Sequence, residues 1–132
     1  RQSSLNDAIR NIVSMLRVKV SDAFQNQVKG LSGGNQQKVV IGKWLMSNPS
    51  VLVVDEPTRG VDVGAKYEIY SIINDIVAKG AGVLFISSEI EELIGVCDRI
   101  IVMGVGEILG SFEKADFNRE KILQTAFREG GK

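Results

Sequence analysis

The sequence predicts an α/β domain in which helices flank a parallel sheet, with a C-terminal β-hairpin and a last helix. Val51–Val54 and Val83–Ile86 are short, continuous apolar runs, which are typical of strands buried on both faces. Segments with apolar residues at helical spacing alternate with these runs. Such alternation of strands and helices is typical of a sheet with helices on its faces.

The composition limits the possible classes of function. The chain has 132 residues, which suits one domain, and its 44% hydrophobic and 24% charged residues are ordinary for a globular protein. Sixteen basic and sixteen acidic residues cancel, so no global basic field favours nucleic acid, and we expect none as a partner. Histidine is absent, which excludes Ser-His-Asp catalysis and HExxH zinc sites. The single cysteine, Cys97, can form no internal disulfide.

The first third of the chain is predicted to be mainly helical. Apolar residues at helical spacing predict a helix over 4–17, with Ser4 and Asp7 as its capping box. Residues 18–31 have mixed composition and predict a connector. A second helix starts at the serine–glycine turn that follows and ends near Pro49. The face of this helix predicted to be buried holds Val40, Ile41, Trp44 and Leu45.

Two further helices are predicted on either side of the second strand. Asp62 is placed to cap a helix over about 63–79. Ser88, followed three residues later by Glu91, predicts a capping box for a helix over 89–97. The buried residues of the first of these helices are predicted to be Ile69, Ile72, Ile73, Ile76 and Val77.

The C-terminal part is predicted to be a hairpin and a helix. Residues 99–103 and 107–112 form two apolar runs joined by a turn that contains glycine, which predicts the hairpin. Residues 118–128 predict the last helix. Its buried residues are predicted to be Ile122, Leu123, Ala126 and Phe127.

Residues 31–38, Leu-Ser-Gly-Gly-Asn-Gln-Gln-Lys, are the first candidate site. Two glycines at the start of a helix let the backbone come close to a ligand, and the helix N-terminus offers free amides and partial positive charge. Ser32 adds a hydroxyl donor, so the turn is suited to grip a phosphate. The alternative is that Ser32 only caps the helix and that the glycines only form a turn.

Residues 51–58, Val-Leu-Val-Val-Asp-Glu-Pro-Thr, are the second candidate site. Ligands of α/β sheets bind beyond the carboxyl ends of the strands, and this strand ends in two carboxylates. Asp55 is placed to hold Mg²⁺, directly or through water, and Glu56 is placed to polarise an attacking water. The alternative is a strand that leaves the core through an acidic turn.

In this order and spacing, the two motifs resemble those of the ATP-binding cassette (ABC) ATPases. Leu31–Gln36 resembles their signature motif, Val51–Glu56 resembles their Walker B strand with its catalytic glutamate, and Arg59–Asp62 lies where the family has its D-loop. Two residues depart from the general pattern. Asn35 stands where most signatures carry glutamine, and Ser88 stands where most cassettes carry the switch histidine.

The residues that fill these motifs resemble one group within the family in particular. Residues 31–38, residues 55–66 and the Ser-Ser-Glu at 87–89 are similar to the second cassette of bacterial monosaccharide importers of the ribose, galactose and xylose type. In that family two fused cassettes energise a membrane permease that a sugar-binding protein feeds. The resemblance therefore implies a partial P-loop NTPase fold and a role in ATP-driven sugar import.

The resemblance also implies a role for each matching residue. Glu56 would be catalytic, Asp55 would hold Mg²⁺ through water, and Ser88 would occupy the switch position. The D-loop would comprise Gly60, Val61 and Asp62. The residues that would contact ATP held by the other cassette are Ser32, Gly33, Gly34, Asn35 and Gln36.

Partners and location follow from the same resemblance. The implied partners are the first cassette of the same polypeptide, the permease subunits and, indirectly, a periplasmic or lipoprotein sugar-binding protein. The implied cofactors are ATP and Mg²⁺. The implied location is the cytoplasmic face of the bacterial membrane, as a peripheral protein.

The sequence lacks one motif that an ATPase of this type needs. No Gly-x-x-x-x-Gly-Lys-Ser/Thr phosphate loop occurs in it, so we expect the isolated chain neither to bind ATP tightly nor to hydrolyse it. The resemblance assigns residues 1–48 to part of the helical subdomain and residues 49–132 to the C-terminal part of the RecA-like ATPase core. Unpaired strand edges predict self-association of such a piece. The alternatives are a soluble ABC ATPase without a transport role and a catalytically inert ABC fragment.

Overall fold

A computed structural model describes residues 2–128, which divide into two compact units. The first unit comprises the residues up to Ile86, and the second comprises those from Ser87 onward. No helix within residues 2–128 is long and apolar enough to cross a membrane. The domain boundary expected between residues 48 and 49 stays a prediction.

In residues 2–86, helices pack on a two-stranded parallel sheet. The predicted order of helices, connector and strands is confirmed. The capping box predicted at Ser4 is wrong, because the first helix already includes residue 2 and Ser4 lies inside its first turn. The elements are α1 (Gln2–Met15), a 3₁₀ turn (Val28–Gly30), α2 (Gly33–Leu45), β1 (Val51–Asp55), α3 (Val63–Ala78) and β2 (Gly82–Ile86).

The sheet of the first unit is buried on one face only. Leu52 and Val54 are buried, whereas Val51 is 65% and Val53 is 59% exposed. Because Val53 is the register partner of Leu84, the exposed face continues across β2. The prediction that both strands are buried on both faces is therefore wrong: within residues 2–86 the core lies on the other side of the sheet. That core consists of Leu16, Ile41, Leu52, Val54, Ile69, Ile72, Ile73 and Ile76.

Helix α2 faces this core with a different stripe from the predicted one. Trp44 is 57% exposed and Val40 is also exposed, so their predicted burial is wrong. Gly42 explains the difference, because a Cβ at this position would lie 2.4 Å from Cδ1 of Leu16, the residue that follows α1. The close contact at Gly42 sets the rotation of α2, and Trp44, two residues further along, points to nearly the opposite side. The buried residues of α2 are Gly34, Lys38, Ile41 and Gly42.

Helix α3 buries the four isoleucines that were predicted to be inward, but Val77 is 41% exposed, contrary to prediction. Asp62 caps this helix as predicted, because its side chain accepts a hydrogen bond from the Ala65 N–H at 3.0 Å. Gly80, with φ +100°, follows the last turn. Glycine adopts this left-handed conformation without strain, which suits the return of the chain into β2.

In residues 87–128, an antiparallel hairpin packs against helices, which confirms the predicted hairpin and last helix. Helix α5 buries Ile122 and Thr125, whereas Phe127 is 80% exposed and Ala126 is exposed, contrary to prediction. Gly110 explains this, because a Cβ there would lie 2.8 Å from the Thr125 methyl, so the Thr125 side of the helix lies against the hairpin. The elements are α4 (Ile90–Val96), β3 (Arg99–Gly104), β4 (Glu107–Glu113), a 3₁₀ turn (Lys114–Asp116) and α5 (Arg119–Ala126).

The start of α4 also differs from the prediction. Its N-cap is Glu89, so the capping box expected from Ser88 and Glu91 is wrong. The neighbouring Ser87 makes the local contacts: its Oγ accepts a hydrogen bond from the Glu89 N–H at 3.0 Å and donates one to the buried carboxylate of Glu92. Ser87, one residue before the serine predicted to cap α4, therefore helps to shape this turn.

Candidate functional site

The glycine turn before α2 is organised by Ser32. Ser32 is the N-cap of α2, and its Oγ accepts hydrogen bonds from the N–H of Asn35 at 3.4 Å and from Asn35 Nδ2 at 3.0 Å. Asn35 Oδ1 accepts a hydrogen bond from the N–H of Lys19 at 3.1 Å. Gln36 Nε2 donates to the carbonyl of Leu31 at 2.8 Å. The two amide side chains of the motif are thus held by the chain itself, while Ser32 stays exposed.

The two glycines of this turn have different surroundings. Gly33 is exposed, and a Cβ there would meet only the carbonyl oxygen of Gly60, at 3.8 Å. Gly34 is buried, and a Cβ there would lie 2.6 Å from Ala65 Cβ and 3.5 Å from Val61 Cγ1. Gly34 is therefore needed for the packing of α2 on α3, whereas Gly33 leaves backbone open to a ligand.

One turn into α2, Lys38 forms a second contact with α3. Its side chain is 2% exposed and forms an ion pair with Glu68. Lys38 Nζ also donates to the Arg17 carbonyl at 3.2 Å, so it joins the end of α1 to both helices. Burial lowers the pKa of Lys38, and the charges of Lys19 and Arg17 lower it further. Glu68 supplies the counter-charge that a buried ammonium requires.

The acidic pair lies where β1 ends. Asp55 is the last residue of the strand and is exposed. Glu56 has φ +47°, a left-handed backbone conformation that few non-glycine residues adopt. Its N–H donates to the carbonyl of Ile86 at 2.8 Å, which extends the pairing with β2 by one residue. Such outliers concentrate at functional sites, so the backbone of Glu56 supports a functional interpretation.

The segment from the acidic pair to α3 is anchored in the core. Pro57 and Thr58 are buried, and the Val61 N–H donates to the Thr58 carbonyl at 3.1 Å. Gly60 has φ +71°, which glycine adopts freely. Residues 60–62 therefore stand at a fixed place beside Gly33 and Gly34.

The acidic pair fits the way proteins bind Mg²⁺ together with a nucleotide. Mg²⁺ keeps several waters and takes one or two carboxylates plus the phosphates of its substrate, rather than a cage of protein ligands. Asp55 offers one exposed carboxylate at the end of a strand, which matches this mode. No cluster of three or more Asp, Glu, Cys or His suited to a metal occurs in residues 2–128.

The structure brings some of the predicted site residues together. The glycine turn lies beside residues 60–62, and the acidic pair leads into the same segment. Ser88 belongs to the second unit. Lys38 and Ala65 lie within the stretches that the sequence singled out, but neither was assigned a role. The burial of Lys38 could have been predicted, since Lys38 shares a helical stripe with Gly34, Ile41 and Gly42 at spacings of four, three and four residues.

Known sequences similar to this chain are ATP-binding proteins of ABC transporters. The profile of the ABC transporter family matches residues 3–59. A xylose import ATP-binding protein from Geobacillus kaustophilus is 50% identical over 121 residues, which are 92% of this chain and 23% of that protein. A galactose/methyl galactoside import ATP-binding protein from Clostridium tetani is 48% identical over 120 residues, 91% of this chain and 24% of that protein. The chain thus spans about a quarter of the length of these curated relatives.

Comparison with solved structures agrees. An ATP-binding cassette of an ABC transporter in its ADP conformation superposes with a TM-score of 0.79 at 26% identity, over 98% of this chain and 52% of that one. A dimeric bacterial ABC transporter cassette superposes with a TM-score of 0.77 at 23% identity, over 89% of this chain and 50% of that one. The fold and the motifs define a part of an ABC-type P-loop NTPase domain. Over residues 3–59 the chain is similar to the ABC transporter family, and the relatives described above are named as xylose and galactose/methyl galactoside import ATP-binding proteins.

Proposed function

We propose that the chain acts as the C-terminal half of a nucleotide-binding cassette in the ATP-hydrolysing subunit of a sugar-import ABC transporter. The observation that carries the proposal is the position of Gly33 and Gly34 beside residues 60–62. This segment follows a strand that ends at Asp55 and is continued by Glu56. One compact unit thereby offers a hydroxyl and open backbone for phosphate, and carboxylates for Mg²⁺ and water.

The roles follow from the chemistry of each group. The Ser32 hydroxyl and the backbone at Gly33 would bind phosphate oxygens of an ATP held by another cassette, because both lie exposed at the start of a helix. Glu56 would orient or deprotonate the attacking water. Asp55 would help hold Mg²⁺, which supplies neutralisation of the phosphate charge when bound. The N-terminal half of the cassette would have to supply the phosphate loop, which this sequence lacks.

The partners belong to the same proposal. A cassette that lacks a phosphate loop needs the other half of its own domain and a second cassette to form a complete site. Permease subunits and, through them, a sugar-binding protein would complete an importer, with the chain on the cytoplasmic face of the membrane. The names of the relatives described above favour xylose or galactose as the class of sugar.

The experiment is a chimera of a full-length relative. In the Geobacillus kaustophilus xylose import ATP-binding protein, the segment aligned to this chain is replaced by residues 1–132, and ATP hydrolysis and permease-dependent xylose uptake are measured. We expect both activities, and we expect Glu56→Gln to abolish them while the control Glu107→Gln, at an exposed carboxylate of the hairpin, leaves them unchanged. The proposal would be refuted by a chimera that is unfolded, that hydrolyses no ATP, or that still hydrolyses ATP with the Glu56→Gln substitution.

The same assays separate the alternatives. Hydrolysis that persists without any support of uptake would favour a soluble ABC ATPase. The inert-fragment alternative predicts an inactive chimera. For the isolated chain of 132 residues we expect no turnover, and turnover that Glu56→Gln abolishes would contradict this expectation.

A further inference from the structure

The side chain of Asn35 is fixed in one orientation within the glycine turn. Its Oδ1 accepts a hydrogen bond from the N–H of Lys19 at 3.1 Å, and a backbone N–H can only donate. The amide group therefore cannot rotate by half a turn without losing this bond. As a result, Nδ2 points to Ser32 and donates to its Oγ at 3.0 Å.

The Ser32 oxygen consequently has no acceptor capacity left. A hydroxyl has one O–H donor and two lone pairs. The lone pairs of Ser32 receive Asn35 Nδ2 at 3.0 Å and the N–H of Asn35 at 3.4 Å. The O–H group is the hydrogen-bonding capacity that Ser32 has left for a ligand. The side chain is exposed and lies at a helix N-terminus. Ser32 can then act toward a ligand only as a donor, and phosphate oxygens are acceptors.

We propose that Asn35 is a positioning residue that fixes Ser32 as a hydrogen-bond donor to a nucleotide phosphate. The proposal rests on the proposed function and deepens it, because it assigns Asn35 to the orientation of Ser32 rather than to contact with ATP. The short asparagine side chain matters here: it reaches both the Lys19 amide and Ser32 Oγ, and a glutamine is one methylene longer.

The decisive substitution is Asn35→Asp, which has the same shape. The side chain of an aspartate has only hydrogen-bond acceptors. It would therefore accept a hydrogen bond from the Ser32 O–H, whereas Asn35 donates one to the Ser32 oxygen. The charge-matched control is Gln37→Glu, two residues further along the same helix. Both variants are introduced into the active xylose-import chimera, with and without Ser32→Ala, and kcat and KM for ATP are measured.

We expect Asn35→Asp to reduce kcat by about 100-fold, the scale of losing one donor to a reacting anion, with a smaller change in KM. We expect Gln37→Glu to change kcat much less. In the Ser32→Ala background, Asn35→Asp should cause little further loss, since it acts through the Ser32 hydroxyl. A structural role alone would give losses that add in that background and a lower unfolding temperature of the 132-residue chain.

The outcomes separate the two proposals. If the chimera with the native residues hydrolyses no ATP, the proposed function fails. If that chimera is active but Asn35→Asp retains full kcat, matches Gln37→Glu, or adds its whole loss to that of Ser32→Ala, the positioning role of Asn35 is refuted and the proposed function stands.

Discussion

Gly34 on α2 lies so close to Ala65 on α3 that a Cβ added to Gly34 would stand 2.6 Å from the Ala65 Cβ. The second glycine of the glycine turn therefore has a packing role within its own chain. A loss of activity on substitution of Gly34 would report helix packing as well as access of a ligand. Gly33, which has room for a methyl group, is the better position for testing access alone.

Substitution of these two glycines should separate the two effects. We expect Gly34→Ala to lower the free energy of unfolding by about 1–3 kcal/mol, because overpacking forces the helices to shift. Gly33→Ala should change stability by no more than about 0.5 kcal/mol. The double variant Gly34→Ala/Ala65→Gly moves the methyl group to the other helix and should recover part of the loss. Urea unfolding of the chain measures all three, and equal losses for the two single variants would contradict the packing role.

The buried ion pair between Lys38 and Glu68 should respond asymmetrically to the loss of either partner. Glu68→Met leaves a buried ammonium without its counter-charge, and we expect a loss of about 3–5 kcal/mol. Lys38→Met should cost less, because the Glu68 side chain is 32% exposed and can be hydrated. The double variant should approach the native stability. Thermal unfolding measures the series, with Lys43→Met, at an exposed lysine of the same helix, as control. Equal single losses, or losses that add, would contradict this account.

Cys97 predicts a loss of stability at alkaline pH. Burial raises the pKa of its thiol above the ordinary value of 9.0, and the charges of Asp98 and Glu92 raise it further. The folded chain therefore keeps the thiol proton at pH values where the unfolded chain has lost it. The stability that the protonated thiol contributes to the fold is complete below pH 9.0 and is lost as pH rises through the folded-state pKa. Urea unfolding under reducing conditions at pH 8 to 10.5 should show a smaller decline for Cys97→Ala than for the native chain. Parallel declines would refute the assignment.

The exposed apolar face of the sheet predicts self-association of the 132-residue chain. Val51, Val53, Leu84 and Ile86 lie on this face, and apolar patches next to unpaired strand edges promote association. We expect sedimentation velocity to show species larger than the monomer as concentration rises. Val53→Lys should shift the distribution to monomer, and Val105→Lys, at the exposed hairpin turn, should not. A monomer at all concentrations would contradict the prediction.

The sequence was sufficient for the element order and for the placing of the motifs, because apolar spacing and glycine or proline turns are local features. It was not sufficient for the burial of β1. Four apolar residues in a row identify a strand, but which faces are covered depends on the layers that pack on it. Lys38 shows a related limit. Its spacing places it on the buried stripe of α2, but the counter-charge that stabilises its burial comes from Glu68, thirty residues further along the chain.

The candidate site shows a limit of sequence reasoning. Residue types and spacing singled out Asp55, Glu56 and the glycine turn, and their roles stay predictions. The serine that organises the start of α4 was misplaced by one position, because Ser87 and Ser88 both precede glutamates and only geometry distinguishes them. Likewise, the two glycines of the turn look equivalent in sequence, and only the position of Ala65 separates their roles.

The exposure of Trp44 makes the chain its own optical reporter. It is the single tryptophan of the sequence, and its indole lies in solvent on α2 beside the Lys43 ammonium, 5.5 Å from the ring centre. Its fluorescence should already be that of a hydrated indole in the folded state, so emission will be a poor indicator of unfolding. It will instead respond to any partner that covers this side of α2, since coverage removes water from the ring. Titrations that follow the emission maximum can therefore detect assembly without an attached dye.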